Sequence, residues 1–82
     1  MLLHIGEQNL VRGRAVIGFF DLDGGETPEI TREFLRRAEK EGVCELLTTD
    51  IPRSFVLTEE KVYITRLSTQ ALHRRSSSGE GK

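Results

Sequence analysis

Two carboxylates directly after an apolar run are the first residues whose type and spacing could support catalysis. Asp21 and Asp23 stand two positions apart, behind the β-branched and aromatic stretch 15–20. At the end of a strand, this spacing could bring both carboxylates to one phosphoryl group, one as nucleophile and one as acid or base, with Mg²⁺ alongside. The resulting hypothesis is a phosphatase that uses Asp21 and Asp23.

The sequence around this pair argues against such an enzyme. Its order resembles the first motif of haloacid-dehalogenase-type phosphatases, but Gly25 stands where those enzymes have threonine. That fold also needs a much longer chain, with a lysine and further aspartates on later strands. A calcium loop fails too, because Gly25 and Glu26 occupy positions that require an oxygen ligand and a glycine. We therefore interpret the segment as a solvated turn at a strand end and predict no enzymatic activity.

Other candidates for metal or nucleophilic chemistry are scattered. His4, Cys44 and His73 are far apart in sequence and include no close pair of the kind that zinc sites use. The sequence is compatible with a nucleophilic Cys–His pair, although Cys44 beside Val43 is more typical of a small buried apolar residue. The sequence predicts no cofactor, no metal site and no small-molecule substrate.

Length and composition narrow the class of protein. The chain has 82 residues, one cysteine and a net charge of −1. A single cysteine excludes an internal disulfide, and no apolar run approaches the roughly 20 residues that span a bilayer. We expect a cytoplasmic protein without membrane contact. Because a chain near this size buries only about 60–65% of its unfolded surface, self-association would help to stabilise it.

The apolar pattern predicts an α+β fold with a small, largely antiparallel sheet and one main helix. That helix is expected at about residues 28–41, with Thr27 as its cap, Pro28 as its first residue and Gly42 as its stop. Gly18, inside the apolar run, suggests a bulge or a close backbone approach. Strands are expected within residues 15–20, 43–47, 54–57 and 62–65, and the last two form a hairpin.

The C-terminal part of the sequence predicts a short helix followed by a polar tail. Ser68 could cap a short C-terminal helix that contains Ala71 and Leu72. Residues 76–82 are small and polar, which is typical of a disordered tail. We predict a single domain over residues 1–75, followed by this tail.

Arginines beside predicted turns are the best candidates for contacts with an anionic partner. Arg12, Arg14 and Arg53 lie at strand ends, where their side chains could converge on phosphate or stay as scattered exposed charges. The arginines of the main helix are different, because they are spaced three or four residues from glutamates. That pattern predicts a solvated face of ion pairs.

Several short motifs, in their order and spacing, resemble one bacterial family over about residues 1–75. The motifs are Leu3-His4-Ile5-Gly6-Glu7, Val16-Ile17-Gly18-Phe19-Phe20-Asp21, Pro52-Arg53-Ser54-Phe55-Val56-Leu57-Thr58, Lys61-Val62-Tyr63-Ile64 and Leu67-Ser68-Thr69. The resemblance is to the RemA/RemB regulators of the extracellular matrix, or biofilm, and is closer to the RemB branch. It implies a sheet with one main helix and a closed ring of several subunits.

The resemblance also implies DNA binding by arginines that the ring presents repeatedly. The RemA branch has an arginine just before the buried strand, and here Arg14 is nearest, with Ala15 at the aligned place. That branch has a pair of arginines before the hairpin, where this chain has Asp50 and only Arg53. The DNA-binding residues are therefore expected to be Arg14 and Arg53, followed by Arg12 and Arg66.

Two functions follow as hypotheses. The first is a homo-oligomeric, ring-forming transcriptional regulator of matrix genes that binds DNA mainly through arginine–phosphate contacts. The second is an oligomeric protein-interaction module without DNA affinity of its own, which the single Arg53 and the net charge of −1 favour. Subunit contacts are expected at sheet edges and near Leu2, Leu10 and Leu67.

Overall fold

The computed structural model describes residues 2–6, 8–23 and 27–80 and confirms the α+β class. The strands are β1 (Leu2–His4), β2 (Leu10–Arg12), β3 (Val16–Asp21), β4 (Cys44–Leu46), β5 (Ser54–Thr58) and β6 (Val62–Thr65). The helices are α1 (Glu29–Lys40) and α2 (Thr69–Glu80), and a 3₁₀ turn, Gly13–Ala15, joins β2 to β3. Within this part of the chain, neither helix has the length and apolar character that a membrane crossing requires.

Four strands form the main sheet in the order β3-β5-β6-β4, and β1 and β2 form a separate antiparallel hairpin. β5 is antiparallel to both β3 and β6. The predicted β5–β6 hairpin is confirmed, and its turn is held by Thr58, whose Oγ1 accepts a hydrogen bond from the Lys61 amide at 3.0 Å. β4 lies parallel to β6. The sheet is therefore largely, but not wholly, antiparallel.

The predicted irregularity at Gly18 is present in β3. Pairing with β5 shifts in register between Val16 and Gly18. A Cβ atom at Gly18 would lie 3.1 Å from the ring of Phe20, which covers the backbone at this point. The bulge places Val16 and Phe19 against one apolar cluster and leaves Ile17 exposed.

Side chains alternate along β5 and divide the core between the two faces of the sheet. Val56 belongs to a cluster with Leu3, Ile5 and Leu72, so the β1–β2 hairpin and α2 cover this face. Phe55 belongs to a second cluster that α1 covers on the opposite face. The central strands β5 and β6 are thus covered on both faces of the sheet. Exposed side chains on or beside these strands can therefore come close to one another only at the strand ends.

Helix α1 lies close to its predicted bounds. It begins at Glu29 with Pro28 as its cap, so the prediction that Thr27 caps the helix is wrong by one residue. The Pro28 carbonyl accepts hydrogen bonds from the amides of Thr31 and Arg32, each at 3.1 Å. Gly42 ends the helix as predicted, with a positive φ of 77° that favours glycine.

Replacing Gly42 by alanine is expected to lower the free energy of unfolding by about 1–2 kcal/mol, because a left-handed backbone strains any residue with a Cβ. Nothing lies within 4 Å of the position that this Cβ would occupy, so the backbone alone sets the cost. Urea denaturation measures the change. Glu41→Ala, an exposed neighbour, is the matched control and should shift stability by less than about 0.5 kcal/mol. Equal effects of the two substitutions would contradict the strain argument.

Helix α2 is longer than the short helix predicted from the sequence. Ser68 caps it as expected, with its Oγ accepting a hydrogen bond from the Ala71 amide at 3.1 Å. The helix then continues to Glu80, into the segment for which a polar tail is predicted. Serine and glycine are weak helix formers, but a helix that has started gains one hydrogen bond for each added residue. The domain boundary at residue 75 stays a prediction, and residues 81 and 82 lie outside the described part.

Candidate nucleic-acid interface

The four arginines predicted to contact DNA form two pairs at opposite ends of the main sheet. Arg53 and Arg66 lie side by side, just before β5 and just after β6, where the Arg53 amide donates to the Thr65 carbonyl at 2.9 Å. Arg12 ends β2, and Arg14 lies in the 3₁₀ turn that leads into β3. The structure therefore does not bring Arg53 together with Arg12 and Arg14, a convergence that the sequence had left open.

The length of β5 sets the separation of these pairs. The Ala15 carbonyl accepts a hydrogen bond from the Glu59 amide at 3.1 Å, so the 3₁₀ turn lies beside the far end of β5. Arg53 directly precedes the same strand. A strand of five residues and the step onto it from Arg53 span about 17 Å at roughly 3.3 Å per residue. A single phosphate group could not contact both pairs at this separation.

Arg53 takes part in an ion pair at the end of β3. Its Nε donates to Oδ2 of Asp23 at 2.8 Å, and the two side chains are 51% and 47% exposed. The Leu22 amide also donates to the Arg53 carbonyl at 2.9 Å, which fixes the backbone here. An ion pair this exposed contributes about 0–1 kcal/mol. The guanidinium can therefore exchange Asp23 for a phosphate at small cost.

The same contacts give Asp21 and Asp23 structural partners. Oδ1 of Asp21 accepts a hydrogen bond from the Asp23 amide at 2.8 Å, which closes the turn after β3. The Asp23 carboxylate faces Arg53 rather than a shared phosphoryl position. This arrangement agrees with the interpretation of a solvated turn. The calcium-loop positions 24–26 lie outside the described residues, and the lack of enzymatic activity stays a prediction.

Arg66 lies near a second carboxylate. Its Nη1 is 3.9 Å from Oδ2 of Asp50, and its side chain is 55% exposed. This distance is at the long limit for an ion pair, beyond hydrogen-bonding range. Both arginines at this end of the sheet thus face an acidic residue, Asp23 or Asp50.

Arg12 and Arg14 differ from the other pair in their surroundings. Both are exposed, and neither forms an ion pair with a residue that the structure describes. The turn that carries Glu59 and Glu60 lies beside them through the Ala15 hydrogen bond. This end of the sheet therefore offers two guanidinium groups without a fixed counter-ion among the described residues.

The arginines of α1 lie on a face of local ion pairs, as predicted. Arg32 contacts Glu29 at 2.7 Å, and Arg36 contacts Glu33 at 3.3 Å, three residues apart in each case. All four side chains are largely exposed. These residues serve as matched controls for charge substitutions at the ends of the sheet.

No described group of three or more His, Cys, Asp or Glu residues could hold a metal ion. Partial burial, and then the nearby carboxylate of Glu39, raise the pKa of the Cys44 thiol above its ordinary value. A raised pKa leaves less thiolate at neutral pH and so disfavours nucleophilic chemistry. His73 instead packs edge-on against Phe19, with ring centroids 5.0 Å apart.

Sequence reasoning missed a cleft of about 830 Å³ at one end of the main sheet. Arg66 and Arg75 both line it. Arg75 belongs to residues 66–82, which carry four basic residues and one acidic residue, and this excess of positive charge is the signal in the sequence that pointed toward it. Its position in a cleft depends on contacts between α2 and distant strands, which no local pattern encodes.

Comparison with known proteins identifies the family. No protein-family model matches the chain. It is 32% identical over 76 residues to Extracellular matrix regulatory protein B of Bacillus subtilis (strain 168), an alignment that covers 93% of this chain and 90% of the relative. The chain therefore belongs to the RemA/RemB family of extracellular matrix regulatory proteins. The resemblance drawn from its short motifs is confirmed, and the match lies on the RemB side.

Proposed function

We propose that this protein is a ring-forming, DNA-binding transcriptional regulator of extracellular-matrix (biofilm) genes that acts in the cytoplasm and has no enzymatic activity. The name of the B. subtilis relative, an extracellular matrix regulatory protein, supports the regulatory role. The observation that carries the DNA-binding part is the presence of two exposed arginine pairs at the two ends of one sheet.

The spacing of the two pairs suits contacts to separate phosphates. Their separation of about 17 Å along β5 exceeds the roughly 12 Å width of a major groove. Arginine side chains are long enough to make up the difference, so one subunit can reach phosphates on both sides of a groove. Such contacts position a protein on DNA without reading its sequence.

A ring would compensate for the weak affinity of a single subunit for DNA. The net charge of −1 gives no general attraction to DNA, and few phosphates are neutralised by a single copy. Repetition of the arginine pairs around a ring raises the effective concentration of every further contact. DNA that follows the ring must bend, which costs on the order of 1–6 kcal/mol for a 20–30 base-pair site.

Exposed apolar side chains support self-association. Leu2 and Leu10 are exposed on the hairpin, and Ile17 and Leu46 are exposed on the two edge strands of the main sheet. Leu67 is partly buried against the core and offers less surface. Light scattering coupled to size exclusion measures the mass of the assembly. A monomer mass at every concentration would contradict the ring.

The direct test is a fluorescence-anisotropy titration of a promoter fragment of roughly 60 base pairs at about 50 and 200 mM salt, since phosphate-driven binding weakens steeply as salt rises. We expect tight binding at the lower concentration and a large decrease in affinity at the higher one. No binding at low salt by correctly folded protein would contradict the DNA-binding part of the proposal.

Removing the acidic partner of Arg53 is expected to strengthen DNA binding. Asp23→Asn deletes a charge that competes with phosphate for the guanidinium, and a surface ion pair of up to about 1 kcal/mol corresponds to an increase of up to about fivefold in affinity. Glu33→Gln is the matched control, because Glu33 pairs with Arg36 on α1. Anisotropy titrations of both variants make the comparison. Equal affinities of the two variants would show that Asp23 does not restrain Arg53.

The second candidate function is a protein-interaction module without DNA affinity. The carboxylates of Asp23 and Asp50 beside Arg53 and Arg66 favour it, because they reduce the positive potential at that end of the sheet. Recovery of a specific protein partner, together with no DNA binding at low salt, would support this alternative over the first proposal.

A further inference from the structure

The cleft of about 830 Å³ opens where the parallel strands β4 and β6 end. Leu47 lines the cleft, and its amide donates to the Ile64 carbonyl at 2.8 Å, which holds the segment after β4 against β6. The β1–β2 turn contributes Asn9 to the lining, and α2 contributes Arg75. The carboxyl ends of parallel strands are a common place for ligands, because the loops that follow them diverge and leave a crevice.

Among the residues that the structure describes, the cations in and beside the cleft outnumber the carboxylates by one. Lys61, outside the lining, donates to Glu45 at 3.1 Å, and this hydrogen bond raises the pKa of the Lys61 ammonium. Asp50 lies opposite Arg66. Each carboxylate therefore has a cation beside it, whereas Arg75 forms no ion pair with any residue in the described part of the chain. An anion in the cleft would meet the guanidinium of Arg75 without displacing a described acid from it.

The rest of the lining offers both polar groups and apolar surface. Thr48, Thr49 and Asn9 supply hydroxyl and amide groups. Oγ1 of Thr48 already accepts a hydrogen bond from the Asp50 amide at 2.9 Å, so its hydroxyl proton stays available to donate. Leu46 and Leu47 supply apolar contact. A fitting ligand has one anionic group and a hydroxylated body with an apolar face.

We propose that this cleft binds a small phosphate monoester with a hydroxylated body, of the class of sugar phosphates and nucleoside monophosphates. Arg75 binds the phosphate, because arginine matches its oxygens with two parallel N–H donors. Arg66, on the same cleft, is the second cation. The binding site goes beyond DNA binding and does not depend on it.

Isothermal titration calorimetry of the full chain with adenosine 5′-monophosphate and ribose 5-phosphate tests the site. We expect both esters to bind, and Arg75→Ala to weaken them about tenfold or more, the effect of removing a charged hydrogen bond. Arg74→Ala is the matched control, because Arg74 is the exposed neighbour on α2 outside the cleft lining. Weaker binding in Arg75→Ala together with unchanged affinity in Arg74→Ala would support the proposal. Failure of both esters to bind, or equal affinities of the two variants, would overturn it.

Two further probes test the contributions of the phosphate group and of the hydroxylated body separately. Inorganic phosphate and free ribose should each bind more weakly than ribose 5-phosphate. The first lacks the hydroxylated body, and the second lacks the phosphate group that Arg75 binds. Inorganic phosphate that binds as tightly as the esters would overturn the assignment of a hydroxylated ligand. Weaker binding of both fragments would support it.

A consequence for regulation rests on the proposed function. Arg66 is both a cleft residue and a predicted DNA contact, so a bound phosphate ester should compete with DNA for it. Addition of ribose 5-phosphate to a preformed DNA complex should lower its anisotropy, and Arg75→Ala should abolish that response. An unchanged complex, with ester binding intact in calorimetry, would overturn the competition alone. Absence of any DNA complex would count against the proposed function and not against the cleft.

Discussion

Replacing Arg14 and Arg53 together by alanine is expected to weaken DNA binding by about 100-fold or more, because each charged hydrogen bond to phosphate contributes about 1.5–3 kcal/mol. The salt dependence should flatten too, by about 0.9 in the log–log slope for each phosphate that the variant no longer neutralises. The two sites lie about 17 Å apart along β5, so the effects of the single substitutions should add. Anisotropy titrations over a range of salt concentrations measure affinity and slope together, while light scattering verifies an unchanged assembly mass.

The matched control for this experiment changes charge by the same amount elsewhere. Arg32 and Arg36 are exposed on α1 and already paired with Glu29 and Glu33. The double variant Arg32→Ala and Arg36→Ala should bind DNA nearly as well as the unaltered protein. If both double variants bind DNA equally weakly, net charge rather than the ends of the sheet controls binding. Unchanged affinity in the Arg14 and Arg53 variant would remove these residues from the interface.

Replacing Leu72 by alanine is expected to lower the free energy of unfolding by about 2–5 kcal/mol. Leu72 is 0% exposed and joins α2 to Leu3, Ile5 and Val56. Removing its side chain leaves a cavity that the hairpin, the sheet and the helix can fill only in part. Against a typical domain stability of about 5–15 kcal/mol, such a decrease is large. Urea denaturation at a fixed protein concentration measures it, since any assembly makes stability depend on concentration.

Leu10→Ala is the control for this substitution. Leu10 is 48% exposed and lies in β2, so the same atoms are removed from a site where they are only half-buried. Its effect on the free energy of unfolding of the subunit should be well below that of Leu72→Ala. Similar decreases from both substitutions would contradict the expectation that the burial of Leu72 sets the cost of its removal.

The sequence was sufficient to predict elements that local chemistry specifies. Helix α1 follows from its apolar spacing together with Pro28 and Gly42, and the β5–β6 hairpin follows from two short apolar runs with a short connection. Gly18 marked the bulge because a glycine inside an apolar run indicates a close approach. In each case the determining residues are neighbours in the chain.

Features that depend on distant residues were not predictable in the same way. The parallel pairing of β4 with β6 joins Cys44 to Val62 and rests on a strand of only three residues. The ion pair between Arg53 and Asp23 joins residues 30 positions apart. The sequence near Arg53 therefore gave no indication of this acidic partner. The separation of Arg14 from Arg53 likewise follows from strand order, which composition does not reveal.

The bulge in β3 affects how readily another strand can pair with this edge of the sheet. β3 is an edge of the main sheet in the described part of the chain, and an edge strand presents unpaired amides and carbonyls that can add another strand. The extra residue between Val16 and Gly18 breaks the regular row of these groups and increases the local twist. An incoming strand matches such an edge less well along its length, so backbone pairing at β3 is disfavoured, and association at this edge would use side chains such as Ile17 instead.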